Sequence, residues 1–142
     1  MENIKDIDVA ALVQAALDAR ENAYVPYSHY AVGAALLTEE GEIFPGCNIE
    51  NASYGATNCA ERTAFFRAVS QGKRKFRAIA IAGGMEGEKP VEYAYPCGIC
   101  RQMMREFCKD DFKVIVAKSA EDFQEYRLEE ILPFGFGGES IR

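Results

Sequence analysis

Histidine is almost missing from this chain. His29 alone supplies an imidazole, which excludes a metal centre built mainly on histidine. Long apolar runs are missing too, and the charged opening Met1-Glu2-Asn3-Ile4-Lys5-Asp6 has no signal-peptide core, so the expectation is a soluble, cytoplasmic protein with no membrane partner. Positive charge is in deficit, with 16 Lys and Arg against 22 Asp and Glu for a net −6, and no basic block stands out. That balance disfavours binding to long nucleic acid but not to a neutral small molecule held by hydrogen bonds and stacking. The five cysteines are odd in number, and without an export signal they argue against a disulfide framework. With no repeat, linker or low-complexity segment, residues 1–142 read as a single domain, which buries roughly 68–70% of its unfolded surface at this size.

What is present concentrates in two stretches, Cys59-Ala60-Glu61 and Pro96-Cys97-Gly98-Ile99-Cys100. The second offers two thiolates at a spacing that lets both face one ion at the start of a helix, and the first adds a third thiolate with a carboxylate two residues on. A structural zinc site normally closes with a fourth protein ligand. Three ligands beside a free carboxylate instead leave room for water and a group to take its proton, the composition of a hydrolytic site. Cys59, Cys97 and Cys100 are thus the expected ligands of one Zn²⁺ per chain, and Glu61 the expected catalytic acid/base.

Elsewhere the chain alternates between helical and extended patterns. Apolar Val9, Leu12, Val13, Ala16 and Leu17 predict an amphipathic helix over 8–23, capped by Asp6 or Asp8. Pro26-Tyr27-Ser28 breaks it, and His29 falls in the resulting loop. A hairpin follows, with strands at 31–38 and 42–49 around Glu39-Glu40-Gly41. Asn48 and Glu50 lie two apart, so in extended backbone they share a side, where an amide and a carboxylate can grip a hydroxyl.

A central helix is predicted over 58–71, capped near Asn58 and stopped by Gly72, and a buried strand over 76–82. Gly83-Gly84-Met85-Glu86-Gly87 reads as a turn, since it lacks the Gly-Lys-Ser/Thr ending of a phosphate loop. A second central helix over 97–108, strands at 113–117 and 123–128 and a short helix at 129–132 complete an α/β layered fold with a mixed five-stranded sheet. The aromatic, glycine-rich tail Leu132-Pro133-Phe134-Gly135-Phe136-Gly137-Gly138 would expose its rings unless an oligomer covers them.

Two rivals compete for the cysteines. A closed structural zinc module needs a fourth ligand, and Cys108, eight residues beyond Cys100, would sit about 12 Å along the helix axis at about 1.5 Å per residue. Cys47 and His29 remain within reach in principle, but a closed site leaves Glu61 unexplained. A thioredoxin-like dithiol at Cys97-Gly98-Ile99-Cys100 leaves Cys59-Ala60-Glu61 idle.

A ligand, a spacer and Glu followed later by Pro-Cys-x-x-Cys is the signature of the zinc deaminases in its three-cysteine form. In wording and order these residues resemble the small homotetrameric cytidine deaminases, from about Leu12 to Phe136. The resemblance implies a three-layer α-β-α fold and hydrolytic deamination of cytidine and 2′-deoxycytidine to uridine and 2′-deoxyuridine, with release of ammonia, in pyrimidine salvage. It also implies that Asn48 and Glu50 hold the ribose 3′-hydroxyl and that Tyr30, where the family usually has Phe, stacks on the pyrimidine. Ala52 and Tyr54 are implied to serve a neighbouring subunit's site, Arg62 to offset thiolate charge, and a tail aromatic, Phe134 in preference to Phe136, to close a neighbour's pocket. Ala56, Tyr95 and Ile99 depart from the family pattern at the pocket wall or helix start. A relative acting on blasticidin S shares the zinc motifs, and Asn48-Ile49-Glu50-Asn51 argues against it.

Overall fold

The computed structural model describes residues 6–141. The stretch Met1 to Lys5, on which the reading of the N-terminus largely rests, lies outside the described residues. Among those described, five strands form one mixed sheet in the order β2-β1-β3-β4-β5. They are β1 (Tyr30–Thr38), β2 (Ile43–Cys47), β3 (Phe76–Met85), β4 (Lys113–Ser119) and β5 (Asp122–Arg127). Only β3 and β4 run parallel, and the crossover between them carries a helix, as parallel pairing requires. The hairpin β1–β2 and the antiparallel pairs β1–β3 and β4–β5 complete the sheet.

Alternation along the strands builds two cores. Ala35, Leu37, Ala78, Ala80, Ala82, Ile115 and Ala117 face α1 (Val9–Ala19), which buries Leu12, Val13 and Ala16 against them. Ala34, Leu36, Ile79, Ile81 and Val114 face the opposite layer, made of α2 (Ala60–Ser70), α3 (Gly98–Phe107) and the short α4 (Leu128–Ile131). The result is an α/β fold of three layers. Phe65 of α2 is fully buried there, its ring 5.1 to 6.0 Å from those of Phe76, Phe107 and Phe112. Truncating such a ring to Ala typically costs about 3–5 kcal/mol.

Several expected boundaries move. Asp8 is the cap of α1, accepting from the Ala11 N–H at 3.0 Å, but the helix tightens into a 3₁₀ turn at Arg20–Asn22, short of residue 23. α2 starts at Ala60, two residues into the expected 58–71, and its cap is Cys59 rather than Asn58. The largest correction is at Gly83-Gly84-Met85. These residues continue β3, pairing with Val32, Ala31 and Tyr30, and the chain turns only at Glu86-Gly87. The glycines serve packing: a Cβ on Gly83 would stand 2.9 Å from that of Ala94 and 3.1 Å from the Tyr30 ring, and one on Gly84 would meet Pro90 at 3.0 Å.

α2 lies close on β2 because Gly46 has no side chain. A Cβ there would fall 2.4 Å from the Ala64 nitrogen and 2.6 Å from the Ala60 carbonyl oxygen. That close approach fixes where the first turn of α2 points.

Candidate active site

The first turns of α2 and α3 converge. Cys59 and Cys97 occupy their N-cap positions, neither making a side-chain cap bond, and Cys100 lies one turn into α3. The three sulfurs lie within 4.8 Å of one another, with Cys59 Sγ 3.9 Å from Cys97 Sγ. For thiolates about 2.3 Å from a tetrahedral zinc, neighbouring sulfurs stand about 3.8 Å apart, so the donor set and its spacing fit zinc. Among the described residues no fourth Cys or His joins the group. Cys108 caps the far end of α3 and Cys47 belongs to β2, so a closed four-ligand site is not assembled.

Charge reinforces this reading. The Cys59 thiol is held well below its usual range, first by a hydrogen bond from the Cys100 thiol and further by Arg62, whose Nη2 donates to Cys59 Sγ at 3.4 Å. Cys100 is driven in the opposite direction because it keeps the shared proton. Positive ends of two helix dipoles point at the same spot.

Glu61, in the first turn of α2, is 4% exposed. Burial pushes its carboxyl up to about 7, with the Cys59 charge adding to the rise. Its own backbone N–H donates to it, and it joins no salt bridge among the described residues. Tyr30 begins β1 on the strand face that looks toward α2 and α3, and it is half-buried over Gly83 beside Ala94.

Asn48 and Glu50 do turn to one side, the loop and strand start at residues 25–32, but both already hold backbone there. Asn48 Oδ1 accepts from the Val32 N–H and its Nδ2 donates to the Tyr30 carbonyl, each at 2.9 Å. Glu50 Oε1 accepts from the Tyr27 and Ser28 N–H groups at 3.0 and 3.2 Å, and its Oε2 accepts from the Ser28 hydroxyl. These bonds leave one amide N–H of Asn48 and spare lone pairs on both side chains. Ala52 and Tyr54 lie on an exposed strip around the 3₁₀ turn Tyr54–Ala56, with Tyr54 edge-on to Tyr27. Phe134 is fully exposed, and one chain does not bring it to the cysteines. A cleft of about 740 Å³ lies elsewhere, between α1, the turn after β3 and the β4–β5 turn, and none of the sulfurs lines it.

Sequence reasoning passed over two contributors. Ser28 supports Glu50 through its backbone and hydroxyl, and Arg101 bonds the carbonyls of Pro96 and Ile131. Backbone partners leave no mark in residue spacing, so only the Arg directly after Cys100 could have served as a signal.

Comparison with known proteins agrees with this geometry. Residues 7–117 match the family described as the cytidine and deoxycytidylate deaminase zinc-binding region. Cytidine deaminase of Sporosarcina psychrophila is 49% identical over 135 residues, covering 95% of this chain and 96% of the relative. That of Halalkalibacterium halodurans is also 49% identical, over 95% of this chain and 98% of its own length. The crystal structure of cytidine deaminase from Burkholderia pseudomallei superposes with a TM-score of 0.81 at 46% identity, covering 89% of this chain and 97% of that one. A family match spanning the α2 and α3 sulfurs, with full-length relatives of the same fold, leaves one assignment: the chain belongs to the zinc-binding cytidine and deoxycytidylate deaminase family.

Proposed function

We propose that this protein hydrolyses cytidine and 2′-deoxycytidine to uridine and 2′-deoxyuridine with release of ammonia, in pyrimidine salvage, as one deaminase domain over residues 1–142. The observation that carries the reading is the trio of sulfurs within 4.8 Å of one another beside a buried carboxylate that joins no salt bridge among the described residues. Cys59, Cys97 and Cys100 would hold one zinc ion, which when bound supplies the Lewis acidity that makes water a nucleophile near neutral pH. Glu61 accepts the proton of that water as oxygen adds to C4 of the pyrimidine. The same carboxyl passes that proton to N3, then takes the remaining hydroxyl proton of the C4 adduct and delivers it to the departing amino group, so water and nucleoside become the 4-oxo pyrimidine and ammonia with no other reactant. Three thiolates and Zn²⁺ sum to −1, and Arg62 with the two helix N-termini offsets that excess.

Tyr30 offers a ring face to the base, and the remaining valences of Asn48 and Glu50 address the ribose 3′-hydroxyl, a grip that tolerates either sugar. The exposed rings of Tyr54 and Phe134, with Ala52, suit a homotetramer in which neighbours complete each pocket. Among the described residues no helix is long and apolar enough to cross a membrane, and we place the protein in the cytoplasm, acting on a free nucleoside rather than on long nucleic acid.

The test is to incubate purified protein with cytidine, 2′-deoxycytidine, cytosine and blasticidin S, following pyrimidine absorbance and ammonia while assaying zinc and solution mass. Nucleoside turnover with about one zinc per chain supports the reading. Turnover of blasticidin S alone, or none with a metal site saturated by protein ligands, overturns it.

A further inference from the structure

α3 does more than carry two sulfurs. Its residue Arg101, directly after Cys100, is half-buried and uses two of its N–H donors on carbonyls that lie far apart in sequence. Nε donates to the Pro96 carbonyl at 2.8 Å, in the peptide unit that leads into Cys97. Nη1 donates to the Ile131 carbonyl at 2.8 Å, at the end of α4 where the aromatic tail begins. The adjacent Gln102 donates through Nε2 to the Phe136 carbonyl at 3.0 Å. Residues 132–135 are therefore pinned at both ends by neighbouring side chains of one helix. In the middle stands Phe134, its ring in solvent and its φ at +58°, a conformation that side chains other than glycine keep only where flanking contacts fix it.

We propose that Arg101 is a positioning residue that ties the metal turn at Pro96-Cys97 to the Phe134 segment through one guanidinium. A charged donor on a carbonyl next to a ligand acts as an outer-shell brace, and loss of such partners typically lowers metal affinity by about 10–100-fold. The planar fork of Arg can serve two carbonyls at once, whereas the compact ammonium of Lys serves one. Through the shared brace, disturbance of the tail is felt at Cys97. The inference rests on Cys97 being a zinc ligand, and its test does not depend on turnover.

The experiment compares wild type, Arg101→Met and Arg101→Lys as zinc-loaded protein. It measures zinc release to a coloured chelator and hydrogen exchange by mass spectrometry in segments 95–101, which holds the Arg101 N–H bonded to the Cys97 carbonyl, and 131–136, which holds the Leu132 N–H bonded to the Leu128 carbonyl. Arg101→Met is expected to release zinc about tenfold faster and to lose protection in both segments, with α2 and the sheet unchanged. Arg101→Lys is expected to recover protection in one segment only, and it supplies the answer if the Met variant does not fold. Wild-type release and exchange in both variants overturns the proposal. So does a response in one segment alone in Arg101→Met, or loss of protection spread evenly over the chain. A protein that binds no zinc would refute the ligand assignment, while the two-segment exchange pattern would still decide the brace.

Discussion

Gly46→Ala tests whether packing beneath α2 sets the chemistry above it. The added Cβ would stand 2.4 Å from the Ala64 nitrogen, 2.6 Å from the Ala60 oxygen and 2.9 Å from the Ala64 Cα, all backbone atoms that cannot rotate away. Ordinary Cβ contacts start near 3.4 Å, so helix and strand must part by about 1 Å. Overpacking of this kind costs about 1–3 kcal/mol, and at this chain length each kcal/mol lowers Tm by about 4 °C. The same displacement moves Cys59 and Glu61, which ride on the first turn of α2, and a misplacement of about 1 Å can cost about 10²-fold in rate. Differential scanning calorimetry and steady-state deamination of cytidine give the two numbers. Unchanged Tm would refute the packing argument. A lowered Tm with unchanged kcat would break the link from Gly46 to the site.

Glu61→Gln is expected to keep its zinc and lose turnover by about 10²–10⁴-fold, and normal turnover by metal analysis and kinetics would remove Glu61 from its acid/base role. Arg62→Gln removes a cation 3.4 Å from the Cys59 sulfur, an interaction worth about 1 kcal/mol in water and about 5 kcal/mol at an effective dielectric of about 20. Activity should fall further than zinc content, and unchanged kinetics would contradict the charge-offset role. Glu50 sits below its ordinary 4.5, first because the Ser28 hydroxyl donates to it and then because the Ser28 and Tyr27 N–H groups do. Its hold on the loop is therefore complete above 4.5 and lost as pH falls through the lower folded value. Amide shifts of Tyr27 and Ser28 should titrate with an inflection under 4.5 that Glu50→Gln abolishes; an inflection at or above 4.5 contradicts the cap.

The parts of this molecule that could be read from sequence are those encoded locally. Cys59-Ala60-Glu61 and Cys97-Gly98-Ile99-Cys100 each fit within one helical turn, so residue type and spacing sufficed to anticipate the sulfurs that the fold brings together. Alternation gave the strand faces, and even the short β5 lies where expected apart from its ends. Gly83 and Gly84 were misread because their reason is tertiary: the Tyr30 ring, Ala94 and Pro90 fill the space their side chains would take. Asn48 and Glu50 share a side as the two-residue spacing implied, yet their bonds to backbone at Tyr30, Val32, Tyr27 and Ser28 had no sequence signature. Arg101 escaped for the same reason.

The bare caps of α2 and α3 leave a liability. Cys59 and Cys97 hold positions where Ser, Asp or Asn would bond a free backbone N–H, and such a cap is typically worth about 1 kcal/mol. Cys97→Asp should therefore give a metal-free protein that melts higher than the metal-free parent while no longer assembling the sulfur trio. Stability screens run without added metal would enrich for changes at these two positions and select, step by step, a better-folded protein that no longer carries the site.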